Sequence, residues 1–126
     1  MLFDTDILIW LQRGLGKAAA LVENSEVRNI SIVTYMELLQ TARTKREHDI
    51  IRGFLRDFDF RILALSENIG HRAAVYLEEY GVGSGLMLVD ALIAATATEH
   101  DLVFVTGNAK HFKPIKGLRL SAFKAS

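Results

Sequence analysis

The sequence predicts an α/β fold, in which a mostly parallel sheet of four to five strands lies between two layers of helices. Two observations predict it. The candidate strands are short, continuous apolar runs, which is typical of strands that are buried on both faces. Segments with helical periodicity separate these runs along the chain, as the crossover connections of a parallel sheet require.

The first half of the chain contains two candidate strands. Residues 2–4 are the first strand, and residues 7–11 begin a helix that Asp6 could cap. Residues 28–33 (RNISIV) are the second strand. Residues 34–44 have a helical composition, and apolar residues at 50, 51, 54, 55 and 58 form a helical stripe over 46–58. We therefore expect two helices, or one bent helix, after the second strand.

The second half continues the alternation. Residues 60–65 (FRILAL) are the third strand. Ser66 and Glu67 start a helix that ends near Tyr80, at the glycine-rich GVGSG. A helix over 86–100 precedes the fourth strand, residues 102–106, and residues 118–120 form a short fifth strand after Pro114 and Gly117.

Length and composition restrict the class of protein. The chain of 126 residues fits one domain, residues 1–126. There is no cysteine, which excludes thiolate catalysis, zinc–thiolate sites and disulfides, and a reducing cytoplasm is the expected location. No basic leader with an apolar core opens the chain and no apolar run approaches the ~20 residues that span a bilayer, so we expect neither secretion nor membrane insertion.

The net charge is zero, with 15 Lys and Arg against 15 Asp and Glu. The chain as a whole therefore has no attraction to nucleic acid or to a membrane surface, and such a partner must be met by a local basic patch. Two basic runs are candidates, although most such runs are simply solvated faces. They are Arg43, Lys45, Arg46, Arg52 and Arg56, and the later group Lys110, His111, Lys113, Lys116 and Arg119.

Acidic and polar residues follow several of the predicted strands, where parallel α/β sheets bind their ligands. They are Asp4 and Asp6 after the first strand, Glu37 one helical turn beyond the second, Asp90 in the helix that follows GVGSG, and Thr106 to Asn108 after the fourth. The Thr106 hydroxyl and the Asn108 amide suit the binding of a water or a phosphate oxygen, although Gly-Asn is equally a turn signal.

Asp90 is the most informative of these residues. The stretch LMLVDALIAATA is otherwise without charge, so we expect its helix to be largely buried, and a buried carboxylate needs a cation or hydrogen-bond donors. Alternatively, Asp90 caps a helix that starts at Ala91.

Glu37 is a weaker candidate, because it belongs to a polar stripe of the predicted helix that could simply face solvent. The other members of this stripe are Thr34, Thr41 and Thr44. The residues expected to face inward are Val33, Met36 and Leu39.

Asp4 and Asp6 are two residues apart, so both carboxylates point to one side if the strand continues through them. A hard divalent ion such as Mg²⁺ would relieve their repulsion. Alternatively, Asp4 lies in a turn and Asp6 caps the next helix.

The sequence lacks the motifs of several other kinds of site. The four histidines have no metal-ligand spacing, and neither a Walker motif nor a G-x-S-x-G elbow is present. The remaining chemistry is a carboxylate cluster that binds one or two divalent ions, which activate water against a phosphodiester.

Together these stretches resemble the PIN-domain ribonucleases, and most closely the VapC toxins of prokaryotic toxin–antitoxin modules. LFDTDILIW resembles the opening strand of the family, whose first metal-binding aspartate is Asp4 here; the second polar position is more often asparagine and is Asp6 here. ISIVTYMELLQ is similar to the second block, with its acid at Glu37, and LVDALIAATA to the third, with its acid at Asp90.

LVFVTGNAKHFKPIKGL is similar to the last block of the family, in which a Thr-x-Asn or Thr-x-Asp turn precedes a phenylalanine. The corresponding residues are Thr106, Asn108 and Phe112. Some PIN nucleases carry a fourth acid where this chain has Asn108. The resemblance therefore implies three strong carboxylates, and it leaves open whether Asp6 joins them and whether one or two metal ions bind.

The resemblance implies a three-layer α/β/α fold, dependence on Mg²⁺ or Mn²⁺, endonucleolytic cleavage of RNA, and a homodimer. VapC toxins typically act on transfer or ribosomal RNA, and a cognate VapB antitoxin inhibits them while the complex binds its own operator DNA. The implied roles are Asp4 and Asp90 as principal metal ligands, Glu37 as a ligand or water orienter, and Thr106 and Asn108 as supports.

Three other functions remain compatible with the sequence. The opening also resembles the haloacid-dehalogenase phosphatases, in which Asp4 and Asp6 would be nucleophile and general acid, although Leu8 stands where that family prefers Thr or Val. A phospho-receiver domain is similar in length, with Lys113-Pro114 as its C-terminal lysine, but Asp57 precedes the third strand instead of ending it. Finally, the acids could be helix caps in a non-catalytic, partner-binding module.

Overall fold

The computed structural model describes all residues, 1–126, and its five strands form one parallel sheet. The strands are β1 (Leu2–Phe3), β2 (Arg28–Ser31), β3 (Phe60–Leu63), β4 (Phe104–Thr106) and β5 (Leu120–Ala122). Their order in the sheet is β3-β2-β1-β4-β5, and every neighbouring pair is parallel. The predicted α/β fold is confirmed, with a sheet that is wholly parallel.

Seven helices connect and flank the strands. They are α1 (Thr5–Gln12), α2 (Gly16–Glu23), α3 (Ile32–Thr41), α4 (Lys45–Asp57), α5 (Glu67–Tyr80), α6 (Leu88–Glu99) and α7 (Ala109–Phe112). The segment after β2 is two helices, as one of the alternatives expected. Helices α2 and α7 were not predicted; α2 begins at a glycine, and α7 has only four residues. None of the helices combines the length and apolar character needed to cross a membrane.

The sheet separates two apolar cores, because neighbouring residues of a strand point to opposite faces. Leu2 and Phe104 belong to the core that α5, α6 and α7 cover. Phe3 and Val105 belong to the core beneath α1, α2 and α4. Helix α3 contributes to both cores, through Val33 on one side and Leu38 on the other. The result is the expected three-layer α/β/α arrangement.

Most helix and strand ends differ from the prediction by two residues or fewer. Ser66 caps α5, accepting a hydrogen bond from the Ile69 amide at 3.2 Å, and α5 ends at Tyr80 as predicted. Strand β2 ends at Ser31, two residues early, because the Ser31 hydroxyl accepts from the Val33 amide at 3.0 Å and starts α3. Strand β5 begins two residues later than predicted.

The strand order reverses between β1 and β4. Strands β2 and β3 extend the sheet from one side of β1, and β4 and β5 extend it from the other. Helices α1, α2 and α4 lie on one face of the sheet, and α5 and α6, which follow β3, lie on the opposite face. Helix α3 contacts both cores. A crevice therefore opens at the carboxyl ends of β1 and β4, which is where ligands bind in such sheets.

Ser31 gives a test of how local capping supports this crevice, because it starts the helix that carries Glu37. Its side chain is fully buried. We expect Ser31→Ala to lower the free energy of unfolding by about 1–2 kcal/mol, since the Val33 amide loses its acceptor in a place that water does not reach. Ser66→Ala, which removes an exposed cap, should have a smaller effect. Urea denaturation measures the free energy of unfolding of both variants. If both substitutions lowered it equally, the burial of Ser31 would not be what makes its cap important.

Candidate active site

Asp4 is the centre of the site, at the end of β1 and at the start of α1. One carboxylate oxygen, Oδ1, accepts the Thr5 amide at 2.8 Å and caps α1. The other, Oδ2, accepts the Thr106 hydroxyl at 2.7 Å, although the two residues are 102 positions apart. The parallel register explains the contact, because Phe3 lies opposite Val105 and the next residue of each strand is brought to the same edge.

Burial of the Asp4 carboxylate changes its acidity. Asp4 is 8% exposed and Thr106 is fully buried. Desolvation, with a smaller contribution from the negative charges of Asp6 and Asp90, raises the pKa of Asp4 from 3.8 to about 7, although the hydrogen bonds from Thr106 and Thr5 oppose the shift. Asp4 is therefore half protonated near neutral pH when no cation is bound to it.

Glu37 approaches Asp4 through Thr5, the residue between the two aspartates. The Thr5 hydroxyl donates to Oε1 of Glu37 at 2.5 Å, and the hydroxyl oxygens of Thr5 and Thr34 lie 3.0 Å apart. Thr34 is fully buried, and Thr44 lies outside α3 and caps α4. The expectation of a solvated polar stripe was therefore wrong for Thr34, whereas Thr44 is exposed but is not part of the stripe on α3. Glu37 itself is half-buried.

Met36 is 50% exposed and does not face inward as predicted. Helix α3 packs against both cores, through Val33 and Leu38, and Met36 lies on its exposed side.

Asp90 is half-buried, in the first turn of α6, and its Oδ2 accepts the Met87 amide at 3.1 Å. The prediction that it is a deeply buried carboxylate was wrong, because the continuously buried part of α6 begins beyond it, at Ile93. It caps the helix from inside the first turn, since α6 starts at Leu88 and not at Ala91. Its negative charge nevertheless contributes to the raised pKa of Asp4.

Asp6 does not cap α1, because α1 starts at Thr5 and Asp4 occupies the capping position. Its position in the first turn also excludes the expectation that both aspartates lie along one strand. Instead, Oδ2 of Asp6 accepts the Gly107 amide at 2.9 Å, and Oδ1 is buried without a hydrogen-bond partner. Desolvation raises the pKa of Asp6, and the bond from Gly107 opposes the shift.

The turn after β4 connects these groups. The Thr106 hydroxyl oxygen accepts the Asn108 amide at 3.0 Å while its hydrogen is donated to Asp4. The side-chain amide of Asn108 is exposed and lies 2.8 Å from Nδ1 of His111, and it makes no hydrogen bond with the carboxylates. Thr106 is thus a direct support of Asp4, whereas Asn108 acts through its backbone.

Two contributing residues were missed from the sequence, Thr5 and Gly107. Thr5 is flanked by both aspartates, so its position was a signal that could have been used. Nothing in the local pattern indicates the role of Gly107, because Gly-Asn is an ordinary turn signal.

The four carboxylates of the crevice, Asp4, Asp6, Glu37 and Asp90, have no cationic partner. The ion pairs of the protein lie elsewhere: Arg52–Asp49, His71–Glu67, Arg72–Glu99 and Arg119–Asp101. Hard oxygen donors without a cationic side chain, two of them desolvated, fit a divalent ion such as Mg²⁺ or Mn²⁺.

The side chains as they lie do not bring three or more acidic or histidine side chains together in a group that could hold a metal ion. Each carboxylate is instead bound to its own neutral donor: Thr106 and Thr5 for Asp4, Gly107 for Asp6, the Thr5 hydroxyl for Glu37, and Met87 for Asp90. The crevice is also not one of the three surface cavities of the protein. The metal ligands Asp4, Asp90 and Glu37 therefore remain a prediction.

Comparison with known proteins agrees with the fold. Residues 1–118 match the PIN domain family. The chain is 31% identical over 123 residues to ribonuclease VapC10 of Mycobacterium tuberculosis, an alignment that covers 94% of this chain and 90% of the relative.

Two solved structures are similar over nearly their whole length. A toxin–antitoxin complex from Klebsiella pneumoniae contains a chain that is 33% identical, with a TM-score of 0.79 and coverage of 99% of this chain and 97% of that one. VapBC2 of Rickettsia felis, bound to a DNA fragment from its promoter, superposes with a TM-score of 0.77 at 21% identity and covers 98% of each chain, which supports the fold alone. The chain belongs to the PIN domain family, among the VapC ribonucleases.

Proposed function

We propose that this protein is a divalent-metal-dependent endoribonuclease and the toxin of a toxin–antitoxin pair. The observation that carries the proposal is the desolvated carboxylate of Asp4 at the reversal of strand order, with further carboxylates near it and no cationic side chain paired to it. Its relative VapC10 is a ribonuclease, and the similar Klebsiella chain comes from a toxin–antitoxin complex. The phosphatase and receiver interpretations have no comparable support.

The phosphatase interpretation also conflicts with the geometry. It needs the carboxylates of Asp4 and Asp6 to face one substrate, whereas Asp6 is bound to the Gly107 amide. The receiver interpretation needs a phosphoacceptor at the end of the third strand, and Asp57 ends α4, before β3 begins.

In the proposed mechanism, Asp4 and Asp90 would hold a divalent ion, Mg²⁺ or Mn²⁺, and Glu37 would be a further ligand or would orient the attacking water. A bound divalent ion lowers the pKa of water and stabilises the negative charge of a phosphodiester transition state. The Thr106 hydroxyl fixes the orientation of Asp4 by donating to Oδ2. The Thr5 hydroxyl does the same for Glu37. The backbone amide of Asn108 in turn orients the Thr106 hydroxyl.

The RNA would be held by exposed basic side chains of α4. Lys45, Arg46, Arg52 and Arg56 are exposed on this helix, which follows the helix that carries Glu37. Cationic side chains bind the phosphate backbone and position it without reading its sequence. Transfer or ribosomal RNA is the proposed substrate class.

The proposed partners follow from the similar structures. The VapBC2 complex was solved on promoter DNA. We propose that a VapB-type antitoxin binds this protein, that operator DNA is bound only through that complex, and that the toxin is a homodimer in the cytoplasm.

We expect Asp90→Asn to lose on the order of 100-fold or more of metal-dependent RNA cleavage, because it removes a ligand charge while its amide oxygen can still accept from Met87. Purified protein is incubated with total cellular RNA and Mg²⁺ or Mn²⁺, with EDTA as the blank. Glu67→Gln is the matched control, since it removes an exposed carboxylate from the first turn of α5. Full cleavage by Asp90→Asn would refute the site.

Asp4 should make the metal-free protein less stable as the pH rises. Its pKa is about 7 when folded and ~3.9 when unfolded. The folded state therefore binds the extra proton between these values, and stability falls as the pH rises from about 4 to 7. The loss is up to about 4 kcal/mol from this group.

Urea denaturation in EDTA at pH 5 and pH 8 measures this effect. Asp4→Asn should gain stability relative to the wild type as the pH rises, because it has no charge to desolvate. A difference between the two proteins that does not change with pH would contradict the assignment. Added Mn²⁺ should stabilise the wild type at pH 8 and should have little effect on Asp4→Asn.

A further inference from the structure

We propose that Asp6 is a positioning residue, whose carboxylate fastens the turn of Thr106, Gly107 and Asn108 to the first turn of α1 and so keeps the Thr106 hydroxyl on Asp4. The consequence for metal binding and cleavage rests on the proposed function. The contact itself does not, because it joins two groups of the chain itself.

Two neighbouring bonds join the same two segments. Asp6 accepts the Gly107 amide at 2.9 Å, across 101 positions of sequence, and Asp4 accepts the Thr106 hydroxyl at 2.7 Å. The first bond fixes the backbone directly after β4, and the second depends on where that backbone places the Thr106 side chain. Loss of the Asp6 bond therefore frees the segment that supports Asp4.

Gly107 is required by this close approach and not by its backbone conformation. It is not among the glycines with a positive φ. A Cβ atom at this position would lie only 2.6 Å from Oδ2 of Asp6. Any side chain at 107 must therefore displace the Asp6 carboxylate, so the pair Asp6–Gly107 behaves as one unit.

The burial of Asp6 favours a positioning role over ordinary helix stabilisation. An acidic side chain in the first turn of a helix is stabilised by the free amides of that turn and is normally solvated. Here Oδ2 is turned to the adjacent strand end, and Oδ1 is buried without a partner. Burying an unpartnered oxygen is unfavourable, and the bond to Gly107 is the contact that holds the carboxylate there.

The first experiment measures amide hydrogen exchange by NMR in metal-free wild type, Asp6→Ala and Asp6→Asn. Asp6→Ala should speed exchange of the Gly107 amide by at least about tenfold, which corresponds to losing a hydrogen bond to a charged acceptor. Asp6→Asn should restore most of the protection, because its amide oxygen accepts the same bond. The Ile69 amide, bound to the Ser66 cap of α5, is the internal control for an intact fold.

The second experiment is a double-mutant cycle with Gly107→Ala, which keeps the amide but displaces the carboxylate. Mn²⁺ affinity is measured by calorimetry. Gly107→Ala and Asp6→Ala should each weaken Mn²⁺ binding by about tenfold, and the double variant should bind no more weakly than either one, because both changes break the same contact.

Two results would overturn the proposal: unchanged Gly107 exchange in Asp6→Ala, or a loss of Mn²⁺ affinity in Asp6→Asn as large as in Asp6→Ala. The latter would make Asp6 a direct metal ligand. Failure of the wild type to cleave RNA would count against the proposed nuclease function alone, since amide exchange is measured without metal or RNA.

Discussion

The structure of the site depends on one constraint, a carboxylate buried between two parallel strand ends without a cation. Asp4 is held by the Thr106 hydroxyl and the Thr5 amide, and desolvation raises its pKa to about 7. An unpaired buried charge destabilises a fold by several kcal/mol. The two apolar layers on either side of the sheet must offset this unfavourable contribution, as is common where a protein keeps a reactive group in place.

The parallel topology explains why Asp4 and Asp6 meet the turn after β4. Every strand of the sheet runs in the same direction, so the helices that follow β1 and β2 begin at the same edge. Asp4 and Asp6 belong to the start of α1, and Asp90 to the first turn of α6. Helix N-termini carry a partial positive charge, which favours carboxylates there. Neutral amides and hydroxyls then hold each acid apart from the others, and a divalent ion would supply the positive charge that this arrangement lacks.

Most of the fold followed from local patterns, because apolar runs and helical periodicity are properties of neighbouring residues. Helix α5, which Ser66 caps, and the four-residue strand β3 both begin where the sequence predicted. Errors concentrated where packing decided the outcome. Asp4 took the capping position expected for Asp6, since β1 ends at Phe3. Helix α2, which follows α1 closely and shares its core, had no distinct pattern of its own.

The sequence by itself determined the types of residue in the site and their order along the chain, and these were enough to indicate carboxylate chemistry and the PIN family. It did not determine which carboxylate is buried or which group each one contacts. Only the tertiary structure decided that Asp4, and not Asp90, is the buried acid, and that Asp6 binds Gly107. The physical reason is distance: these contacts join residues more than 100 positions apart, and they exist only because β1 and β4 pair in register.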